Sequence, residues 1–166
     1  IWVTNMDDDN ASFRQVVVDL QELYGKKIAP LHLPIRENGQ FVGYVNVIQM
    51  KAKRWKEDGT VDKTDVPDYS FENLEICREA LLESVAETSE EYMDRYFSGD
   101  TFSENEIRQV LHTNVCDGSM VPISMASGTM AKGIYTLLDD IVKYLPSPEK
   151  KQCKAINIKT NEVYDA

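Results

Sequence analysis

Residues 121–130 read Val-Pro-Ile-Ser-Met-Ala-Ser-Gly-Thr-Met, and the fold turns on this stretch. Val121 to Met125 has the apolar density of a short buried strand, and Ala126 to Thr129 is a turn of small residues. Ile134, Leu137, Leu138, Ile141 and Leu145 then recur at helical spacing until Pro146 and Pro148 stop the helix. The chain opens with the same order. Ile1 to Thr4 is a short apolar run and Asn5 to Asn10 a polar cluster, after which Phe13, Val16, Val17, Leu20 and Leu23 mark a helix. Gly25 falls where a left-handed cap is expected, and Asp8, Asp9 and Asn10 are placed at the positive end of that helix's dipole. Two strand-helix units of this kind imply a parallel sheet.

Between them the texture changes. From Lys27 to about Val66, Ile28 to Ile35 and Phe41 to Trp55 are rich in strand formers, with turns at Glu37-Asn38-Gly39-Gln40 and Asp58-Gly59, so two or three antiparallel strands are expected. Pro67 and Asp68 punctuate, and helices follow. Within Phe71 to Glu87, Leu74, Cys77, Leu81 and Val85 share one face while Glu72, Glu75, Glu79, Glu83 and Glu87 centre on the other. Thr88 with Glu91 and Ser103 with Glu106 have capping-box spacing, predicting helices from Ser89 to Phe97 and from Glu104 to about Thr113, separated at Gly99-Asp100. Residues 147–152 suit a linker, and Cys153 to Ala166 is expected to be a fresh β segment with a turn at Thr160-Asn161. The chain opens on an apolar strand without a polar lead-in and stops on a β segment without partners, so it is expected to be a piece cut from a longer one. The fold class is therefore α/β, a parallel sheet interrupted by an inserted α+β subdomain.

Composition narrows the function. In 166 residues, 42% hydrophobic, no apolar run approaches the roughly 18 to 20 residues of a membrane span. A net charge of −10 argues against a surface built on phosphate contacts, so no sequence-specific nucleic-acid role is expected. Cys77, Cys116 and Cys153 are odd in number and widely spaced, fitting a reducing cytoplasm, with two of them expected in the core.

Ligands of such α/β sheets bind at the carboxyl ends of the strands, here Thr4-Asn5-Met6-Asp7 and Ala126-Ser127-Gly128-Thr129. The first segment resembles the Asn-Lys-x-Asp guanine motif of GTPases, and the second the short Ser-Ala-x motif that also contacts guanine. Met50-Lys51-Ala52 with Trp55, Leu82-Glu83-Ser84 through Glu90-Glu91 with Tyr96, Lys132-Gly133, and Tyr144-Leu145-Pro146-Ser147-Pro148 match the pattern of elongation factor G in the same order. The chain thus resembles the C-terminal half of the GTP-binding domain of that translational GTPase family, including its G-prime subdomain. The resemblance implies a partial P-loop GTPase-type sheet from residues 1–26 and 120–146, a G-prime-like insertion over 27–119, and the start of the following β domain at 153–166. It further implies GTP or GDP as ligand, with Mg²⁺ in the intact parent and no nucleotide bound tightly by these 166 residues alone, ribosomal translocation as the parent's work, and a cytoplasmic location.

What the resemblance implies for single residues has a direct chemical reason at Asp7. A carboxylate facing guanine accepts from both the ring N–H and the exocyclic amine, a donor pair adenine lacks. Thr4, Asn5, Ser127 and Gly128 complete the candidate guanine site, Gly128 through its backbone N–H. Asp7 as a mere cap of the following helix is the competing reading. Thr4 and Asn5 depart from the family's Asn and Lys, which leaves open a paralogue with weakened nucleotide binding. No Gly-x-x-x-x-Gly-Lys-Ser/Thr stretch occurs in the 166 residues, so the chain alone is expected to be catalytically inactive, with no catalytic residue assigned. The acidic helix is either a solvated face or, as the resemblance implies, the contact of Glu75, Glu79 and Glu83 with the stalk protein of the large ribosomal subunit. An acidic protein-interaction module without a nucleotide role is the remaining alternative. His32 and His112 lack a second ligand at metal spacing, and Trp2 and Trp55 read as packing residues.

Overall fold

A parallel strand pair cannot be closed by a tight turn, so the chain must cross over before the second strand is laid down. The computed structural model, which describes residues 1–57, 60–147 and 154–165, shows that crossover. β1 (Trp2–Val3) leads into α1 (Phe13–Tyr24), and a short helical turn delivers β2 (Ile28–Pro30). The antiparallel strands β3 (His32–Glu37), β4 (Gln40–Asn46), β5 (Lys51–Trp55) and β6 (Val61–Thr64) come next. Helices α2 (Phe71–Ala86), α3 (Glu90–Phe97) and α4 (Glu104–Asp117) return the chain to β7 (Val121–Met125), and α5 (Ile134–Tyr144) follows it. Residues 154–165 form a separate antiparallel hairpin of β8 (Lys154–Ile156) and β9 (Val163–Asp165), with Asn161 in a left-handed conformation at its turn.

β7 lies between β1 and β2 and pairs parallel with both, Trp2 opposite Ser124 and Ile28 opposite Val121. Ile28 to Pro30 thus belongs to the parallel sheet, a correction to the reading that opened the antiparallel module there. That module has four strands in sequential order rather than two or three. Asn38 and Gly39, both with positive φ, close the β3–β4 hairpin as its Asn-Gly pair predicts. Gly43 is needed where β4 meets β5, because a Cβ there would sit 2.3 Å from the Lys53 carbonyl oxygen.

The helices begin largely where local chemistry satisfies their free N–H groups. Ser103 and Glu106 form the full capping box of α4, which runs on to Asp117. Two details differ from the sequence reading. Ser89 rather than Thr88 caps α3, while the Thr88 hydroxyl donates to the Val85 carbonyl. Ser12 caps α1, and Asp8 and Asp9 lie in the preceding turn rather than in its first turn. Cys77 is half-buried against the core, its thiol pushed up to about 11 by burial, whereas Cys116 is exposed. The expected turn at Asp58-Gly59, most of the linker at 147–152, and Cys153 lie outside the described residues.

Leu81 and Val85 of α2, Ile28 of β2 and Ile123 of β7 are fully buried in one continuous core that spans the two sheets. Truncating Ile123 to Ala in the middle strand leaves a cavity that neighbours on both sides cannot fill. The expected cost is about 2 to 4 kcal/mol, seen as a lower urea midpoint with unchanged slope.

Candidate functional site

The two loops at the carboxyl ends of β1 and β7 are brought together by the ladder itself. Ser124 N–H donates to the Ile1 carbonyl, Ala126 N–H to Val3 at 2.9 Å, and Met6 N–H to Ala126 at 3.2 Å, so the pairing continues past the strand ends. Met6 is buried and anchors the first loop, which turns at Asn5 through a left-handed φ of 58°. The second loop is closed by reciprocal N–H to carbonyl bonds between Ser127 and Lys132, of 3.0 and 3.1 Å. Gly133 then has a φ of 85° and packs so tightly that a Cβ would lie 3.0 Å from both the Ala126 Cβ and the Met125 carbonyl oxygen.

This geometry puts Asp7 against Ser127, 120 residues apart in sequence. The buried Ser127 hydroxyl donates to Asp7 Oδ1 at 2.5 Å and accepts from Met130 N–H, while the Thr129 hydroxyl donates to Asp7 Oδ2 at 2.6 Å. Each carboxylate oxygen therefore carries one donor from the opposite loop. The Ser127 hydroxyl first, then Thr129, holds the Asp7 carboxyl below its usual value of 3.8. Asp7 does not cap α1, since Ser12 does. Thr4 and Asn5 are exposed beside it, Gly128 is exposed on the second loop, and Thr4, Asn5 and Met6 also line an open groove of about 320 Å³.

Over this segment, elongation factor G of Thermotoga maritima is 36% identical across 149 residues, 89% of this chain and 22% of that protein. The Thermotoga neapolitana elongation factor G matches at the same 36%, over 21% of its length. The chain belongs to the elongation factor G family. No family model matches this elongation factor G segment. A crystal structure of a Thermus thermophilus protein superposes with a TM-score of 0.78 at 30% identity, covering 90% of this chain and 22% of that one. The present chain thus spans about a fifth of the length of the elongation factor G proteins it matches.

Two supports of the loops were not read from the elongation factor G-like sequence. Arg36 on β3 donates to the carbonyls of Asp8 and Ala11, at 2.8 and 3.0 Å, and reaches Gly39 at 2.9 Å. Lys132 Nζ donates to the Phe41 carbonyl at 3.0 Å and stands 5.9 Å from the Trp55 ring centroid. Thr129 was missed as an Asp7 partner. Its hydroxyl in the small-residue turn was the available signal.

The acidic helix α2 presents a different surface. Glu75 and Glu79 are exposed, but Glu83 is engaged by Lys26 Nζ at 2.7 Å and Glu79 accepts from the Tyr96 hydroxyl at 2.7 Å. These three acids, with Gln21, Lys26, Ile76 and Ala80, line an open groove of about 580 Å³ between α1 and α2. His32 is a core residue. Its Nδ1 lies 2.8 Å from the Ser124 hydroxyl and 3.6 Å from Asp140, and burial pushes the imidazole down to about 3 and the Asp140 carboxyl up to about 6. Among the described residues no cluster of His, Cys, Asp or Glu could hold a metal, and no helix is long and apolar enough to cross a membrane.

Removing one donor from Asp7 tests the site directly. In Ser127→Ala the Asp7 carboxyl is expected to rise toward 3.8 in a carbon-detected NMR pH titration, and Thr129→Val to raise it less. Because the folded value is depressed, the carboxylate's contribution to stability is present above that free value and lost as pH falls through the folded one. The acid limb of a stability profile should therefore move to higher pH in Ser127→Ala.

Proposed function

We propose that this chain carries the guanine-reading edge of a translational GTPase, with Asp7 as the base-selecting residue and Thr4, Asn5, Ser127 and Gly128 around it. One observation carries the reading: a carboxylate at the carboxyl rim of a parallel sheet, both of its oxygens braced by hydroxyls from the opposite loop. An ionised carboxylate has about four lone-pair positions. Ser127 and Thr129 occupy one on each oxygen, which leaves one on each for the ring N–H and exocyclic amine of guanine. The bracing keeps the carboxylate charged and fixed in rotation, so the two remaining acceptors stay parallel. Adenine offers a bare ring nitrogen to the same group and leaves a lone pair unmet.

In the whole protein the expected ligands are GTP and GDP with Mg²⁺, the expected work is hydrolysis coupled to movement of the ribosome in the cytoplasm, and the phosphate-reading machinery lies outside these 166 residues. Thr4 and Asn5 in place of the family's Asn and Lys favour weaker nucleotide binding, as in a paralogue. The division into a nucleotide-domain half, at 1–26 and 120–146 with β2 (Ile28–Pro30) joined to it, and an inserted module over the remaining residues up to 119 is part of this proposal.

The groove between α1 and α2 supports a second role for the inserted module. Glu75 and Glu79 are exposed at its rim over Ile76 and Ala80, a match for a basic, amphipathic surface such as that proposed on the large-subunit stalk protein. Glu83 contributes less, since Lys26 already neutralises it.

GMP and AMP, each titrated into the chain and followed by NMR, test the base reading, with GMP expected to bind at least about tenfold tighter. Asp7→Asn exchanges an acceptor for a donor. It should therefore abolish the GMP preference and favour xanthosine monophosphate, whose 2-oxo group accepts where guanine donates. For the groove, Glu75→Lys with Glu79→Lys should slow association with the stalk protein's C-terminal domain by about tenfold or more at low salt and much less at high salt. Unchanged rates at both salt concentrations would remove the docking role.

A further inference from the structure

The loop that carries Asp7 has a support outside the parallel sheet. Arg36 sits at the bulge where the β3–β4 register shifts between Ile35 and Arg36, and the bulge turns its side chain off the module toward residues 8–11. Its side chain is largely enclosed, at 22% exposure, and its polar partners lie in residues 8–11 and at the hairpin tip. Nη2 donates to the Asp8 and Gly39 carbonyls, Nη1 donates to the Ala11 carbonyl, and the Asp9 carboxylate lies 3.8 Å away. Gly39, at the hairpin tip, has a φ of 79°, the left-handed conformation that turns its carbonyl through the hairpin. Asp8 is the next residue after Asp7.

We propose that Arg36 is a positioning residue for the guanine site: from the inserted sheet, its fork fixes the backbone after Asp7, so that displacement of the β3–β4 hairpin is felt at the base-reading carboxylate. The inference rests on the guanine reading of Asp7 and adds a regulatory path to it. Its basis is geometric. Arg36 holds backbone carbonyls on the Asp8 side, and the hydroxyls that depress the Asp7 carboxyl come from the β7 loop. A planar guanidinium with several N–H donors in fixed directions can serve three carbonyls at once, whereas an ammonium is a compact charge that cannot span them in the same geometry. The second loop is tied to the same sheet through Lys132 and the Phe41 carbonyl. Both halves of the base site thus lean on one hairpin, Arg36 and Phe41 lying on either side of its turn.

The test compares the 166-residue chain with Arg36→Met and Arg36→Lys, titrating GMP and AMP against each by NMR and recording thermal stability separately. The expected result is a loss of GMP affinity of roughly fivefold in Arg36→Met, on the scale of one ordinary net hydrogen bond. AMP binding should change little, and Arg36→Lys should recover part of the loss. A merely structural role would lower the melting temperature and leave the GMP to AMP ratio where it was. That outcome overturns the proposal while leaving the guanine reading intact. If the parent chain itself does not prefer GMP, the guanine reading fails and the proposal fails with it. Should Arg36→Met not fold, Arg36→Lys decides: an unchanged ratio overturns the proposal, and a ratio lowered by about twofold or more supports it.

Discussion

The parallel pairing of β1 with β7 is the constraint on which the rest of the structure depends. Two strands separated by some 120 residues lie side by side, and two backbone hydrogen bonds, Ala126 N–H to Val3 and Met6 N–H to Ala126, carry their register beyond the strand ends into the loops. A slip by one residue would turn the buried side chains of a strand to its other face and carry Ser127 away from Asp7. The site is therefore a by-product of sheet register. No side chain needs to search for its partner, because the backbone has already delivered it.

Around that ladder the molecule has a second frame. The antiparallel sheet grips the first loop through Arg36 and the second through Lys132, and α2 packs against β2 on the far side of β7. Ser84 of α2 strengthens the last contact by donating to the Lys26 carbonyl. The acidic groove and the carboxylate rim are thus separate surfaces on elements that share one core. They also differ in electrostatic character. Asp7 is held by neutral hydroxyls that keep its charge available, whereas Glu83 is already matched by a lysine of its own chain.

Much of this was legible in the sequence, and the residues show why. β7 and α5 stood out because a short apolar strand, a small-residue turn and a helical repeat follow one another, each with its own local signal. The capping box at Ser103 and Glu106 was visible because both partners lie within one turn. The loops carrying Asp7 and Ser127 followed from the rule that such sheets bind ligands at their carboxyl ends. What escaped was set by distance. Ile28 to Pro30 runs into β3 without a breaker long enough to notice, and only its partner some 90 residues later shows that it belongs to the parallel sheet. Arg36 looked like any strand-end cation, since its three acceptors are backbone carbonyls, which no sequence pattern marks. The engagement of Glu83 by Lys26 was hidden by distance, since Lys26 follows α1 and Glu83 lies in α2, far apart in sequence.

The position of β7 between two earlier strands also orders events in time. Contacts this remote along the chain are slow to form, because a long loop must be closed before any of them is made. The sequential β3–β6 meander and the helices after it have local partners and can be assembled while the sheet still lacks its middle member. On a chain emerging from amino to carboxyl end, the carboxylate rim accordingly cannot be completed before residues 121–133 have arrived, long after the meander has found its partners.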